Sequence, residues 1–189
     1  QGPAPVCDIE KLKRKNKIDV IGKNTGIMPS LNMLGYAGGL RGGKHDQFEG
    51  GVRAPFIIRW PKKIPANRVN KQSIFSGNDY LPSLCNMAGI EVEPESYEGE
   101  NMADVLLGKS ERSRKNPLFW KTSSANSNPS MLNGNWKLHK QNNNSYVLYD
   151  LSIDEKEMNN VAEQYPQVLD KMSSTMKEWV STLPDAYIK

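Results

Sequence analysis

The chain has 189 residues, enough to bury a core, and its 37% apolar share beside 24% charged residues describes a folded, loop-rich protein and excludes disorder throughout. No run of about 18 apolar residues occurs, which excludes a membrane-spanning helix, and the first residues lack the basic, apolar and small-residue order of a signal peptide. A net charge of +4 favours anionic partners without choosing among them, and two cysteines, Cys7 and Cys85, are too few for a disulfide framework and lack metal-ligand spacing.

Asp8 to Lys17 is dense in helix formers, with Ile9 and Leu12 three apart, and reads as the end of an amphipathic helix. Its Lys and Arg run reads as a solvated face. Ile18 to Ile21 follows as a short strand. From Gly22 to Gly51 apolar periodicity disappears, and the glycine pairs Gly38-Gly39, Gly42-Gly43 and Gly50-Gly51 mark a long loop. Leu34, Tyr36, Leu40 and Phe48 are poor linker residues. A functional loop is therefore the better reading, since paired glycines let the backbone approach a ligand or take positive φ.

Pro55 to Trp60 is a β-rich apolar run closed by Pro61 and predicts a buried strand, with a second such run at Gln72 to Phe75. Asn78 or Asp79 caps a predicted helix that carries Leu81, Leu84, Cys85 and Ala88 on one apolar face and stops at Gly89. Residues 91 to 117 read as a polar connection containing one helical turn at Met102 to Leu107. From Leu118 onward, short β-favouring runs alternate with turn signals, including Asn133-Gly134, and predict an antiparallel meander of about four strands. Tyr165 to Leu183 recurs at helical spacing behind Pro166 and predicts a terminal helix covering that meander. The division between units falls at residues 1–110 and 111–189.

The chemistry concentrates in Leu40 to Pro55, where a glycine-built loop sets Lys44 and His45 directly ahead of a strand. A lysine ammonium there can hold a tetrahedral anion as a point charge. Gly43-Lys44 followed by Glu49-Gly50-Gly51-Val52-Arg53-Ala54-Pro55 resembles a signature of the sulfatase family. The resemblance continues through Asp79 to Ile90, through Asn135 to His139, and through Tyr149-Asp150-Leu151 with Asp154, Glu157, Asn160 and Ala162. It runs in order from about Gly35 to Leu183.

That resemblance implies an alkaline-phosphatase-like α/β fold whose large domain is joined to a smaller sheet-and-helix unit, here the C-terminal four-stranded antiparallel sheet packed by the terminal helix. It implies hydrolysis of a sulfated carbohydrate or aryl sulfate ester by a formylglycine beside bound calcium, in a secreted, periplasmic or lysosomal enzyme. Lys44 takes the place of the lysine that contacts the sulfate group, in a catalytic and substrate-binding role. His45 stands at the site's edge as a substrate contact, with a solvent-facing or structural role equally open. Glu49, Arg53 and Gly50-Gly51 read as architectural, with Glu49 accepting backbone or arginine hydrogen bonds.

Two departures stand against a complete catalytic centre. The family's calcium-ligating Asp-Asn-Gly has its nearest counterpart in Asn24-Thr25-Gly26, where the lost carboxylate and the neighbouring Lys23 weaken Asn24 as a metal ligand. No Cys or Ser stands in the Cys/Ser-x-Pro-x-Arg context of the nucleophile; Ser110 to Arg114 has arginine where proline belongs. The sequence therefore reads as part of a longer sulfatase whose partners are a sulfated substrate and the remainder of the α/β domain, not nucleic acid. A non-catalytic polyanion-binding module and a phosphoesterase or phosphonate hydrolase of the same superfamily are the competing readings.

Overall fold

A computed structural model describes residues 37–43, 46–93, 97–121 and 128–184. The helix expected at residues 8–17 and the strand at 18–21 lie outside them.

The C-terminal part follows its hydrophobic pattern. Strands β1 (Leu118–Trp120), β2 (Ser130–Asn133), β3 (Trp136–Lys140) and β4 (Tyr146–Asp150) form one antiparallel sheet in the order β1-β2-β3-β4. Asn133 pairs with Trp136, so the tight turn is Gly134-Asn135, one residue later than expected. Gly134 has φ +58, a conformation that side chains with a Cβ resist, and this fixes it at the first turn position.

Because strand side chains alternate, the sheet has two unlike faces. Met131, Leu138 and Leu148 point one way and pack with Ala162, Met172 and Met176 into a core, joined by Phe119, Trp136, Val168 and Leu169. The residues from 162 onward belong to or lead into helix α4, Pro166–Ser181, which starts at its proline as predicted. Lys137, His139 and Tyr149 point the other way and are also buried, although two of them are basic. What covers that second face is the glycine loop and a one-turn helix, α1 (Glu49–Val52).

Between these regions lie a 3-10 turn at Gly77–Asp79, helix α2 (Tyr80–Ala88) and a single turn, α3 (Ala103–Leu106). Gly89 closes α2 in the left-handed conformation, as the sequence predicts. Asp79 is fully buried and accepts hydrogen bonds from the Ser76 and Glu100 backbone amides, both at 2.7 Å, while pairing with Arg114. Glu100 in turn accepts from the Lys115 and Asn116 amides at 2.8 and 2.6 Å. This cluster ties α2 to the chain that enters β1.

Two expectations fail in the same region for one reason. Residues 55–60 and 72–75 form no strand, and the apolar residues of α2 are not its buried ones: Pro82 and Ser83 are buried, whereas Leu81 and Leu84 are about half exposed. Ile57 is 90% exposed, with Phe56, Trp60 and Val69 also open to solvent. A strand needs neighbours to satisfy its backbone groups and an apolar face needs a surface to cover it, and the described residues supply neither.

Packing on the sheet's helix face sets the stability of the C-terminal unit. Met176→Ala removes a fully buried side chain and is expected to cost about 2–5 kcal/mol, against about 0.5 kcal/mol or less for Val69→Ala on the open surface. Chemical denaturation of both variants, followed by far-UV circular dichroism, measures the contrast; equal midpoints would contradict this core.

Candidate functional site

Lys44, His45 and Asn24, the residues singled out by sequence, lie outside the described residues, but both flanks of the Lys44-His45 pair are fixed. The Asp46 amide donates to the Gly43 carbonyl at 2.9 Å, and the Gly43 amide donates to Asp46 Oδ2 at 2.9 Å. Downstream, the Gly50 amide donates to the Arg41 carbonyl at 2.7 Å. A Cβ on Gly50 would stand 2.5 Å from that carbonyl, and one on Gly51 would collide with the Asp46 carbonyl. Only glycine fits at both places, which explains the Gly-Gly pair after Glu49.

The loop is held on the sheet by charges buried between them. Lys137 Nζ, with no solvent exposure, donates to Glu49 Oε1 at 2.7 Å. Glu157 is the second hub: its Oε2 accepts the Glu49 amide at 2.6 Å, its Oε1 faces His139 Nε2 at 2.8 Å, and its carbonyl accepts from Arg41 at 2.6 Å. Arg41 also donates to the Tyr149 hydroxyl at 3.1 Å and lies 4.0 Å over the Phe48 ring. Glu157 has φ +54, rare for a residue with a side chain, and its three bonds to Glu49, His139 and Arg41 hold it there.

His139 is neutral in this setting. Burial pushes its pKa down, outweighing the upward pull of Glu157, while Lys137 and Arg41 add to the depression. Its Nε2 therefore carries the hydrogen that Glu157 accepts.

The sequence identified Glu49 as architectural and left its partner open; the structure supplies a lysine from β3 in place of an arginine. Arg53 reaches only Glu155, at 3.4 Å on the open surface, and contributes little. Asp154 and Asn160 organise backbone, accepting from the Met158 and Asn159 amides and from the Leu148 and Ala162 amides. Lys137 and Arg41 were not singled out beforehand. The available signal was the strand pattern itself, which sets Lys137 and His139 together on one face.

Ser110 donates to Asp104 Oδ2 at 2.5 Å, and Asp104 also pairs with Arg112. The Ser110 hydroxyl, and then Arg112, hold the Asp104 carboxyl below its usual range. The hydroxyl is engaged in that cluster. Among the described residues no group of three or more His, Cys, Asp or Glu side chains could hold a metal ion, and no described helix is long and apolar enough to cross a membrane.

Known proteins resemble this chain over most of its length. Residues 43–182 match the family model described as N-sulphoglucosamine sulphohydrolase, C-terminal. The chain is 31% identical to an N-acetylgalactosamine-6-O-sulfatase of Bacteroides thetaiotaomicron over 72% of its own length and 29% of the relative's. It is 31% identical to a sulfatase of Formosa agariphila over 87% of its length and 34% of the relative's. It thus spans about a third of the length of these relatives. Among solved structures, it superposes on a protein of the B. thetaiotaomicron locus for metabolism of multiple glycosaminoglycans with TM-score 0.65, at 29% identity over 82% of this chain and 35% of that one. Ps i-CgsB in complex with k-i-k-neocarrahexaose gives TM-score 0.65 at 26% identity, over 73% and 31% of the two chains.

The buried pairs make two measurable demands. Lys137→Met leaves Glu49 charged and unpaired and is expected to destabilise by about 3–5 kcal/mol, while Lys137→Met with Glu49→Gln recovers a large part of that loss. Denaturant titration of the two variants decides it. The folded His139 pKa lies below that of an unfolded histidine, so the unfolded state binds more protons. Stability is therefore full above about pH 6.5 and falls as pH drops below it. A stability profile from pH 8 to 5 should show this decline in the wild type and a flatter one in His139→Gln; identical profiles would contradict a neutral buried His139.

Proposed function

The chain belongs to the sulfatase family, the sulfuric ester hydrolases, and on that premise we propose that it forms the C-terminal part of an enzyme that hydrolyses a sulfate ester on a carbohydrate. The observation that carries this reading is that Gly43 and Asp46, which flank Lys44 and His45, are hydrogen-bonded to each other, and that Glu49, just downstream, is anchored to Lys137 and Glu157. A charged group meant to meet a fixed anion gains most when its backbone is fixed in advance. Lys44 is the proposed sulfate-binding cation and His45 the proposed neighbouring substrate contact.

A carbohydrate substrate is supported by the relatives, which include an N-acetylgalactosamine-6-O-sulfatase and a protein solved with a neocarrahexaose. In this reading residues 1–110 complete the α/β domain and residues 111–189 form the appended unit. The described residues supply no ligand set for the calcium that the family implies, and no nucleophile context occurs in the sequence. Calcium and formylglycine accordingly belong, in this reading, to the remainder of the enzyme. The uncovered apolar residues Phe56, Ile57, Trp60, Leu81 and Leu84 are the proposed seat of that remainder.

In an enzyme of the relatives' full length, Lys44→Ala is expected to lower kcat/KM for a sulfate ester roughly ten- to a hundredfold, from the loss of one charge-assisted contact. Normal turnover in that variant would refute the assignment. The 189-residue chain assayed alone with an aryl sulfate and added calcium is expected to show no turnover, because an ordinary hydroxyl without an adjacent base is a poor nucleophile. Sustained hydrolysis by it would contradict the reading.

A further inference from the structure

The buried cluster under the glycine loop is balanced in charge only while His139 is neutral. Around its ring stand Lys137 on the same strand, Glu157 from the connection after β4 at 2.8 Å, Tyr149 on β4 with ring centres 6.0 Å apart, and Arg41 from the loop. Glu49, also on the loop, pairs with Lys137. β2 sets Ser130, which carries no charge, opposite His139. Two cations thus meet two carboxylates, and a proton on His139 leaves the cluster with a net positive charge out of water.

The groups that oppose this proton and the group that favours it sit on different elements. The loop supplies Phe48, whose ring centre lies 4.6 Å from that of His139, and Arg41, which donates to the Tyr149 hydroxyl and the Glu157 carbonyl. Glu157 belongs to the C-terminal unit, in a turn where its own amide donates to the Asp154 carbonyl at 3.1 Å. Lifting the loop uncovers the imidazole to water and takes Arg41 away, while Glu157 stays beside it. Both changes raise the affinity of His139 for a proton.

We propose that His139 is a proton-operated catch for the glycine loop: the loop is seated on the sheet while the ring is neutral and lifts when the ring takes up a proton, with the sheet and α4 remaining folded. The sheet is spared because its apolar core, Met131, Leu138 and Leu148 against α4, lies on the opposite face. The His139 pKa is lower with the loop seated than with it lifted, so seating is complete above the higher of the two values. It weakens by up to about tenfold per pH unit as pH falls between them, in the range below about pH 6.5. The catch is a property of this chain whatever anion the loop meets. In an enzyme of the relatives' length it would make the seat of Lys44 and His45 depend on pH.

The test is NMR of the 189-residue chain from pH 8 to 5. Two histidines occur, His45 and His139, so the ring nitrogens of His139 are assigned by their absence in His139→Gln. Amide hydrogen exchange, corrected for the pH dependence of the chemical step, reads the loop at Glu49, Gly50 and Gly51 and the sheet at Leu138 and Leu148. In the wild type the loop amides are expected to lose at least about tenfold in protection as the His139 ring titrates, while the sheet amides keep theirs. His139→Gln retains an N–H for Glu157 and takes up no proton, and its loop protection should hold across the range. Gly50→Ala tests the reverse direction. A Cβ there stands 2.5 Å from the Arg41 carbonyl, so the loop lifts and the His139 midpoint should rise by about half a unit or more. Constant loop protection in the wild type, the same acid loss in His139→Gln, or a loss shared equally by the sheet would each overturn the catch. An unmoved or lowered His139 midpoint in a Gly50→Ala chain whose sheet amides remain protected would do so too. Where Gly50→Ala does not fold, the wild type and His139→Gln decide. None of these readouts depends on turnover, so failure here is distinct from failure of the Lys44 assignment.

Discussion

The buried pair between Lys137 and Glu49 is the interaction on which the arrangement depends, because it joins segments 88 residues apart in sequence. Its worth is positional more than energetic. Two charges removed from water repay their desolvation only when geometry and further hydrogen bonds are good, and a hydrophobic replacement of the whole pair is often no less stable. What the pair supplies is a single registration: a glycine loop with little packing of its own is held against a particular strand face. Glu157 repeats the device one step away, accepting the Glu49 amide and His139 with one carboxylate and Arg41 with its carbonyl. The sheet face left free by α4 has become the seat of the loop.

From this follows a division of labour within the chain. The helix face of the sheet is an ordinary apolar core, which makes the C-terminal unit stable. Its other face carries lysine, histidine and tyrosine, and their polar atoms are used to fix a loop that has few other means of holding a shape. The Asp79–Arg114–Glu100 cluster acts similarly between α2 and the chain entering β1.

The legibility of this arrangement in the sequence varies with how local each signal is. The meander and the terminal helix were readable because Met131, Leu138 and Leu148 alternate with residues of the other face, and because Pro166 opens a run at helical spacing. The turn was misplaced by one residue because Asn-Gly and Gly-Asn are both turn-forming, and only the pairing of Asn133 with Trp136 chooses between them. The strands expected at 55–60 and 72–75 failed because β propensity describes a surface that suits a sheet and does not supply one. The glycine loop stood out in the sequence, but its anchors did not, since Lys137 and Glu157 lie far from it in sequence and near it only after the sheet has formed.

Amide hydrogen exchange in the wild-type chain and in Glu157→Gln tests most directly the claim that buried charge on the C-terminal sheet fixes the loop. The account predicts that the Glu49 and Gly50 amides, which bond to Glu157 and to the Arg41 carbonyl, are protected in the wild type. They should exchange much faster in the variant, while the Leu138 and Leu148 amides keep most of their protection. Unchanged protection at Glu49 and Gly50, or a loss shared equally by the sheet and the loop, would contradict it.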